Sequence, residues 1–318
     1  MKHLLVLLLL VLAVRAQAAD ISGFVRDTAD GESLPFASVY LKDQNWGGIT
    51  NESGYYAIVG VPPGRYILVV SMVGYAVYRE ELVVAGEDIL RDIRLGEEAI
   101  EVEDTVIEAD REEVESFDIS PSRTILQMRE LKTAPAAIEA DPIRTIQTLP
   151  GVATLSDFSV GLYVRGGTPD QNLILLDGTD VYNASHMFGL FSTFPADAAK
   201  STELLRGGYP AKYGGRLSSV LNVITNEGNK QEVEVDGGLS LLASRMTVQG
   251  PALKGSWLVS ARRTHLDPLM ALARDALEAK ALGYNFYDLQ GKTHQILSHA
   301  DQLTIAAYTG RDNLLYRF

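Results

Sequence analysis

The pattern of apolar and polar positions changes character several times along the chain. From Leu4 to Val14 it is an unbroken run of eleven apolar residues, preceded by Lys2 and followed by Ala16-Gln17-Ala18. A helix of that length spans about 16 Å, too short for a hydrocarbon core of about 30 Å. The charged start, greasy core and small-x-small end predict a secretory signal peptide over residues 1–18. From Asp20 to about Leu95 the pattern alternates in short runs: Ile21 to Arg26, Ala37 to Leu41, Tyr55 to Ile58, Arg65 to Met72, Val77 to Val84 and Leu90 to Leu95. Turn residues separate them at Asp30-Gly31, Gly47-Gly48, Glu52-Ser53-Gly54, Pro62-Pro63-Gly64 and Gly86. This regular spacing predicts a small all-β sandwich over 20–96.

Alternation stops at Glu97. The stretch 97–118 holds eleven acidic residues and one basic residue, Arg111. Like charges repel and isolated Val or Ile residues build no core, so it reads as an extended linker. The next region, 119–229, mixes signals. Leu126, Met128 and Leu131 sit among charged neighbours after Ser120-Pro121 and predict helical material. Pro142 suits the start of a second short helix, Ile143 to Thr148, ending at Pro150-Gly151. The apolar runs Leu173 to Leu176 and Ser219 to Ile224 then lie between glycine-rich turns, with Asp177-Gly178 a strong tight-turn signal.

From about Lys230 the rhythm is longer. Met246-Thr247-Val248 leads into a turn at 250–255, and Trp257 to Arg263 follows. A long connection, Leu266 to Gly283, carries leucines at helical spacing. Tyr284 to Leu297, a short turn at Ser298 to Asp301, and Leu303 to Tyr308 complete the chain. Short and long connections in alternation are the rhythm of an outer-membrane barrel, and Tyr284, Phe286 and Tyr287 suit an interfacial girdle. This parity requires a further strand before Met246, about Glu232 to Gly237, with a tight turn near Gly238 to Ser244. The 89 residues after position 229 suffice for roughly five strands, which cannot close a barrel. The expectation is therefore the N-terminal part of a longer wall. Phe318 at the end resembles the terminal aromatic of outer-membrane proteins, and a chance truncation explains it as well.

Composition narrows the function classes. Cys is absent, so an exported chain has no disulfides and no lipid anchor on an N-terminal Cys. The formal charge is −13, and removing Lys2 and Arg15 with the leader takes it to −15. No general affinity for nucleic acid or anionic lipid follows from such a chain. The His residues are His3, His186, His265, His294 and His299, none with Glu three positions later, so the ligand set of a zinc carboxypeptidase is missing. No phosphate loop is present. Asp177, Asp180 and Asp197 form no persuasive carboxylate set, since Asp177 is better explained as a turn residue. No catalytic residue, metal site or cofactor is expected.

The motifs carry two resemblances. Gly23-x-Val25-x-Asp27, Leu34-Pro35-x-Ala37-x-Val39, Thr50-Asn51-Glu52-Ser53-Gly54-x-Tyr56, Val61-Pro62-Pro63-Gly64-x-Tyr66 and Val73-Gly74-Tyr75 resemble the carboxypeptidase-regulatory-like domain. That resemblance implies a non-catalytic, transthyretin-like sandwich of about seven strands. Leu149-Pro150-Gly151-Val152, Val164-Arg165-Gly166-Gly167, Leu175-Leu176-Asp177-Gly178, Leu205-Arg206-Gly207-Gly208 and Tyr213-Gly214-Gly215-Arg216 running into Val220 to Thr225 resemble the plug of TonB-dependent outer-membrane receptors.

The second resemblance implies an α+β plug inside a mainly β transmembrane barrel of about twenty-two strands. Residues 230–318 would then begin the barrel. It implies an outer-membrane location, an external ligand of unknown identity, and a periplasmic TonB-type partner. Asp104, Thr105, Val106, Ile107, Glu108 and Ala109 are the candidate TonB box, a segment that adds as a strand to that partner. The larger glycan-importing subfamily, with its lipoprotein lid, is not resembled. Arg165 and Arg206 are either partners of wall carboxylates or solvated turn residues. Two rival classes remain: a non-transporting periplasmic or surface interaction protein, and a peptidase with the sandwich as accessory.

Overall fold

A computed structural model describes residues 18–98, 122–127, 141–156, 159–240, 242–267, 270, 281–298 and 301–317. The leader up to residue 17, the linker from 99 to 118 with its candidate box 104–109, and most of the connection 268–280 lie outside the described residues. The chain divides into two compact units, Met1–Ile119 and Ser120–Phe318.

The first unit is the sandwich. Its strands are β1 (Ala19–Asp27), β2 (Ser38–Leu41), β3 (Gly47–Ile49), β4 (Tyr55–Val61), β5 (Gly64–Ser71), β6 (Tyr78–Val84), β7 (Ile89–Leu90) and β8 (Ile93–Leu95). One sheet pairs β4 antiparallel to β1, with β7 and β8 running parallel to β1. The other has the order β3-β2-β5-β6. Alternate residues of both sheets point inward, so Ile21, Val25, Val39, Leu41, Ile58, Leu68, Val70, Val84 and Ile93 share one apolar core. Thr50 pins the connection between β3 and β4 by accepting from Ala37 N and donating to Leu34 O. Gly47-Gly48, expected as a turn, is part of β3, because β2 pairs with it and supplies the ladder that the glycines lack intrinsically.

In the second unit, a mixed sheet has the order β13-β12-β17-β16-β9, from strands β9 (Arg123–Gln127), β12 (Asn172–Leu176), β13 (Thr179–Asp180), β16 (Ala199–Leu205) and β17 (Ser219–Thr225). The two apolar runs predicted as strands, β12 and β17, pair in parallel, Leu173 opposite Val220. The only described part of the helix expected around Leu126 is instead strand β9, antiparallel to β16. Tertiary pairing overrides local spacing there: Leu126 joins the core and Arg123 meets Glu203 at 2.7 Å. Helix α1 (Pro142–Ile146) begins as expected, with Asp141 accepting from the backbone of Ile143 and Arg144. Ile143, Ile146, Leu162, Phe194, Leu204, Leu221 and Val223 are buried together beneath it. Short two-residue ladders β10 (Val152–Ala153), β11 (Tyr163–Val164), β14 (Ser185–His186) and β15 (Phe191–Ser192) complete this part.

The chain then forms a five-stranded meander: β18 (Glu234–Leu239), β19 (Ala243–Ala252), β20 (Gly255–Thr264), β21 (Ala281–Ile296) and β22 (Gln302–Arg317), each antiparallel to the next. The extra strand and tight turn before Met246 are present. The β19–β20 turn is tighter than expected, only Leu253-Lys254, since Ala252 still pairs with Gly255.

Candidate functional site

The meander turns an unusual face to the mixed domain. On β21 the side chains of Phe286, Asp288, Gln290, Lys292 and His294 are buried, while Tyr287 and Leu289 between them are exposed. On β20 Ser256, Leu258, Ser260, Arg262 and Thr264 are buried and Val259 is exposed. Period-two alternation therefore puts ionisable and hydroxyl groups inside and apolar groups outside. The outer face includes Met246, Val259, Leu289, Leu303 and Ile305, all about half exposed. Buried charges persist only when paired, and each here has a partner across the seam.

Arg262 and Asp288 are direct cross-strand neighbours. The guanidinium donates to Asp288 Oδ2 from Nε at 2.9 Å and Nη2 at 2.7 Å, and also reaches Ser192 O of the mixed domain. Asp288 Oδ1 accepts from Tyr308 OH at 2.7 Å and lies 2.7 Å from His186 Nε2. The other imidazole nitrogen, Nδ1, lies 2.9 Å from Asp312 Oδ2. Asp312 Oδ1 accepts from Tyr284 OH, which in turn accepts from Met187 N at 2.6 Å. The Phe286 ring stacks on the imidazole with centroids 4.1 Å apart. Gly310 faces Asp288 in the register, and a Cβ there would crowd Tyr308 OH and lie 2.8 Å from Asp288 Oδ1, so a larger residue would have to displace these side chains.

Further along β21, Lys292 Nζ donates to Asp177 Oδ1 at 3.0 Å and to Thr225 O and Oγ1 at 3.0 and 3.1 Å. Asp177 also accepts from Thr225 N and Oγ1. It sits with Gly178 in a two-residue hairpin turn, at φ +49° and +76°. That is the turn the Asp-Gly pair predicts; its ion pair is the part sequence reasoning missed. Arg245 on β19 meets Asp197 at 2.8 Å. Glu227, just after β17, meets Lys230 at 2.7 Å and His294 at 3.8 Å.

Among the described residues of the mixed domain, two titrations are displaced. Burial opposes a charge on Glu227, but Lys200, Lys230 and His294 outweigh it and hold the carboxyl well below the ordinary range. Burial likewise opposes a charge on His186, yet its bonds to Asp288 and Asp312 overcome this and raise the imidazole above its ordinary value.

The other motif residues stay within the mixed domain. Arg206 donates to Pro150 O at 2.6 Å and Thr124 Oγ1 at 2.9 Å, and Arg165 to Ser122 Oγ at 3.3 Å. Neither bonds to a described strand of the meander. Gly166, Gly207, Gly208 and Gly215 have positive φ, Gly167 lies against Ser218, and Gly214 stands in open space. Arg216 donates to the neighbouring Gly215 O. His186, Asp288 and Asp312, 102 and 126 positions apart, were not singled out as a group. The available signal was the run of inward polar residues at alternate positions of β21, Asp288 to His294.

Comparison with known proteins gives this seam its context. Residues 21–107 match the model of the carboxypeptidase-regulatory-like domain, and residues 116–219 that of the TonB-dependent receptor plug domain. The chain therefore carries a plug domain of the kind found in TonB-dependent receptors. The plug is thus the mixed domain, and the first model extends over Asp104 to Ile107 of the candidate box. The vitamin B12 transporter BtuB of Photobacterium profundum is 34% identical over 94 residues, 28% of this chain and 16% of that protein. Among solved structures, the siderophore receptor PirA from Pseudomonas aeruginosa is 21% identical with a TM-score of 0.43, covering 62% of this chain and 37% of its own. The ferric citrate transporter FecA is 19% identical with a TM-score of 0.44, covering 64% and 33%. The chain spans little more than a third of these structures. These three proteins are named as a transporter, a receptor and a transporter.

Proposed function

We propose that this receptor takes up an external ligand through the outer membrane, with its plug seated inside a lipid-facing wall that β18 to β22 begin. The observation that supports this most is the polarity of the meander. Its charged face is buried against the plug and its apolar face is exposed, the reverse of a water-soluble sheet and the order required of a barrel in hydrocarbon. Ligand binding from outside would release residues 104–109 to the periplasm, where a TonB-type protein pairs with them as an added strand and pulls. The names of the relatives point to cobalamin, siderophores or ferric citrate as ligand classes; a glycan or peptide fits the chain equally.

The absence of Cys makes the test clean. Single cysteines replacing Leu289 or Ile305 in outer membranes should react with lipid-soluble but not water-soluble maleimides. Ready labelling of both by the water-soluble reagent overturns the wall. Cysteines placed in turn at 104 to 109 should crosslink to the periplasmic domain of a TonB protein with alternating yield, as a paired strand requires. Uniformly absent crosslinks overturn that assignment of the box.

A further inference from the structure

The contact between His186 and the wall has a definite charge state. A carboxylate only accepts hydrogen bonds, and both ring nitrogens of His186 face carboxylate oxygens, at 2.7 and 2.9 Å. Both nitrogens must therefore donate. Asp288 is fixed as the anion by two bonds from Arg262 and one from Tyr308. Two carboxylates and one guanidinium leave a single negative charge, which a protonated imidazole cancels. Among the described residues the meander groups around it are Arg262 on β20, Asp288 and Tyr284 on β21, and Asp312 and Tyr308 on β22. On the plug, Asp141 accepts from Ser192 N and Arg144 donates to Leu190 O, both in the adjoining backbone.

The segment held by this contact is conformationally costly. Met187 and Phe188, directly after His186, both have left-handed backbones, at φ +50° and +57°, without being glycine. Phe188 is 92% exposed, so no apolar burial compensates it. Met187 and Leu190 pack against the apolar cluster that holds Tyr284 and Phe286, and Gly189 O accepts from Val160 N within the plug, while the polar ties of the left-handed turn to the meander are His186 and Met187 N on Tyr284 OH.

We propose that His186 is a positioning residue of the plug: its imidazolium, shared by Asp288 and Asp312 on neighbouring strands, clamps the loop 182–190 to the wall, and loss of its proton frees that loop. Deprotonation turns one nitrogen into a lone pair facing a carboxylate. The clamp then exchanges a charge-assisted bond for a repulsion, and 187–188 can relax to right-handed backbone. Asp312, whose side chain is 39% exposed against 0% for Asp288, is the half that solvent reaches first. The purpose of the clamp rests on the plug-and-wall reading, but its test reads the loop whether or not any ligand is transported.

The experiment is amide hydrogen exchange on the full chain in lipid, as protection factors between pH 6 and 9. The Met187 amide is the reporter and the Thr225 amide, bonded to Asp177, the internal control. Protection at Met187 should fall about tenfold across this range, the loss of one charge-assisted bond, while Thr225 stays protected. His186→Gln should be poorly protected and flat with pH. Asp312→Asn should shift the fall to lower pH, and it tests the clamp independently should the first variant not fold. Native protection that is flat from pH 6 to 9, a native fall retained in His186→Gln, or Thr225 losing protection in step with Met187 would each overturn the proposal.

Discussion

The sandwich and the wall meander are both antiparallel β built from alternating sequence, yet they are inside out relative to one another. In the sandwich the buried face is Ile21, Val25, Leu68 and Val70; in the wall it is Arg262, Asp288, Lys292 and His294. Alternation alone carries no information about which set faces inward. What decides is the partner of each face. A sheet whose apolar side has only another apolar sheet to meet makes a dry core. A sheet whose polar side meets a polar plug can give its apolar side to lipid. The difference predicts that the same kind of substitution has opposite consequences in the two regions.

The largest effect should come from breaking a charge inside the wall. Lys292→Met leaves the partly buried Asp177 without its cation, and truncating one partner of such a pair costs about 3 kcal/mol, the low end for a buried pair. Adding Asp177→Asn should recover most of the loss, because Asn also tolerates the left-handed turn position. Urea unfolding of the chain in vesicles measures both. A Lys292→Met variant as stable as the parent would make the wall's inner face an ordinary solvated surface.

Outward positions sharpen the contrast. Leu289 on the wall and Val59 on the sandwich are 46% and 66% exposed, so by exposure alone they are equivalent. Leu289→Arg should cost about 2–4 kcal/mol in a bilayer, whereas Val59→Arg should stay within about 0.5 kcal/mol. Equal, small effects at both sites would remove the proposed distinction between a lipid-facing and a water-facing region.

Much of this was legible in the sequence, and what was not has identifiable causes. Asp177-Gly178 announced its turn because two successive positive φ angles admit few residues. Pro142 announced α1 because its fixed φ suits the first helical position, whereas the Asp141 cap became visible only in the structure. The strand at Arg123–Gln127 was hidden, since its conformation comes from the edge of β16, some eighty positions away. The clamp was hidden for the same reason: nothing near His186 in the chain indicates Asp288 or Asp312. Polar residues at 288, 290, 292 and 294 were legible as a polar face, but only the plug against them shows that face to be the inside.

The displaced titrations of His186 and Glu227 give the plug side of the seam opposite responses to pH. His186, raised on folding, contributes stability below its unfolded value near 6.5 that is lost as pH rises through its folded value. Glu227, depressed on folding, contributes stability above its unfolded value near 4.3 that is lost only as pH falls. Glu227→Gln should therefore flatten the acid side of a stability profile while leaving the alkaline side unchanged. A parent profile that already lacks an acid limb would break this assignment.

The smallest and most discriminating effect concerns Gln290, between the clamp and Lys292. It is 2% exposed, and neither amide atom has a hydrogen-bond partner among the described residues. A buried amide without partners costs about 1–3 kcal/mol, so Gln290→Leu should stabilise the closed plug, by a part of that amount. It should also dry the seam between two ionic clusters. If Gln290 serves closure alone, the variant gains stability and keeps its exchange kinetics at Met187. If water at this amide lubricates separation of plug from wall, the gain in stability comes with slower opening, visible as greater protection at the Thr225 amide. In the sandwich no such substitution exists at Leu68, where the side chain already packs in an apolar core. An inner face improved by adding carbon is thus a property of the wall, and a Gln290→Leu variant of lower stability would show that this amide is satisfied in the native receptor.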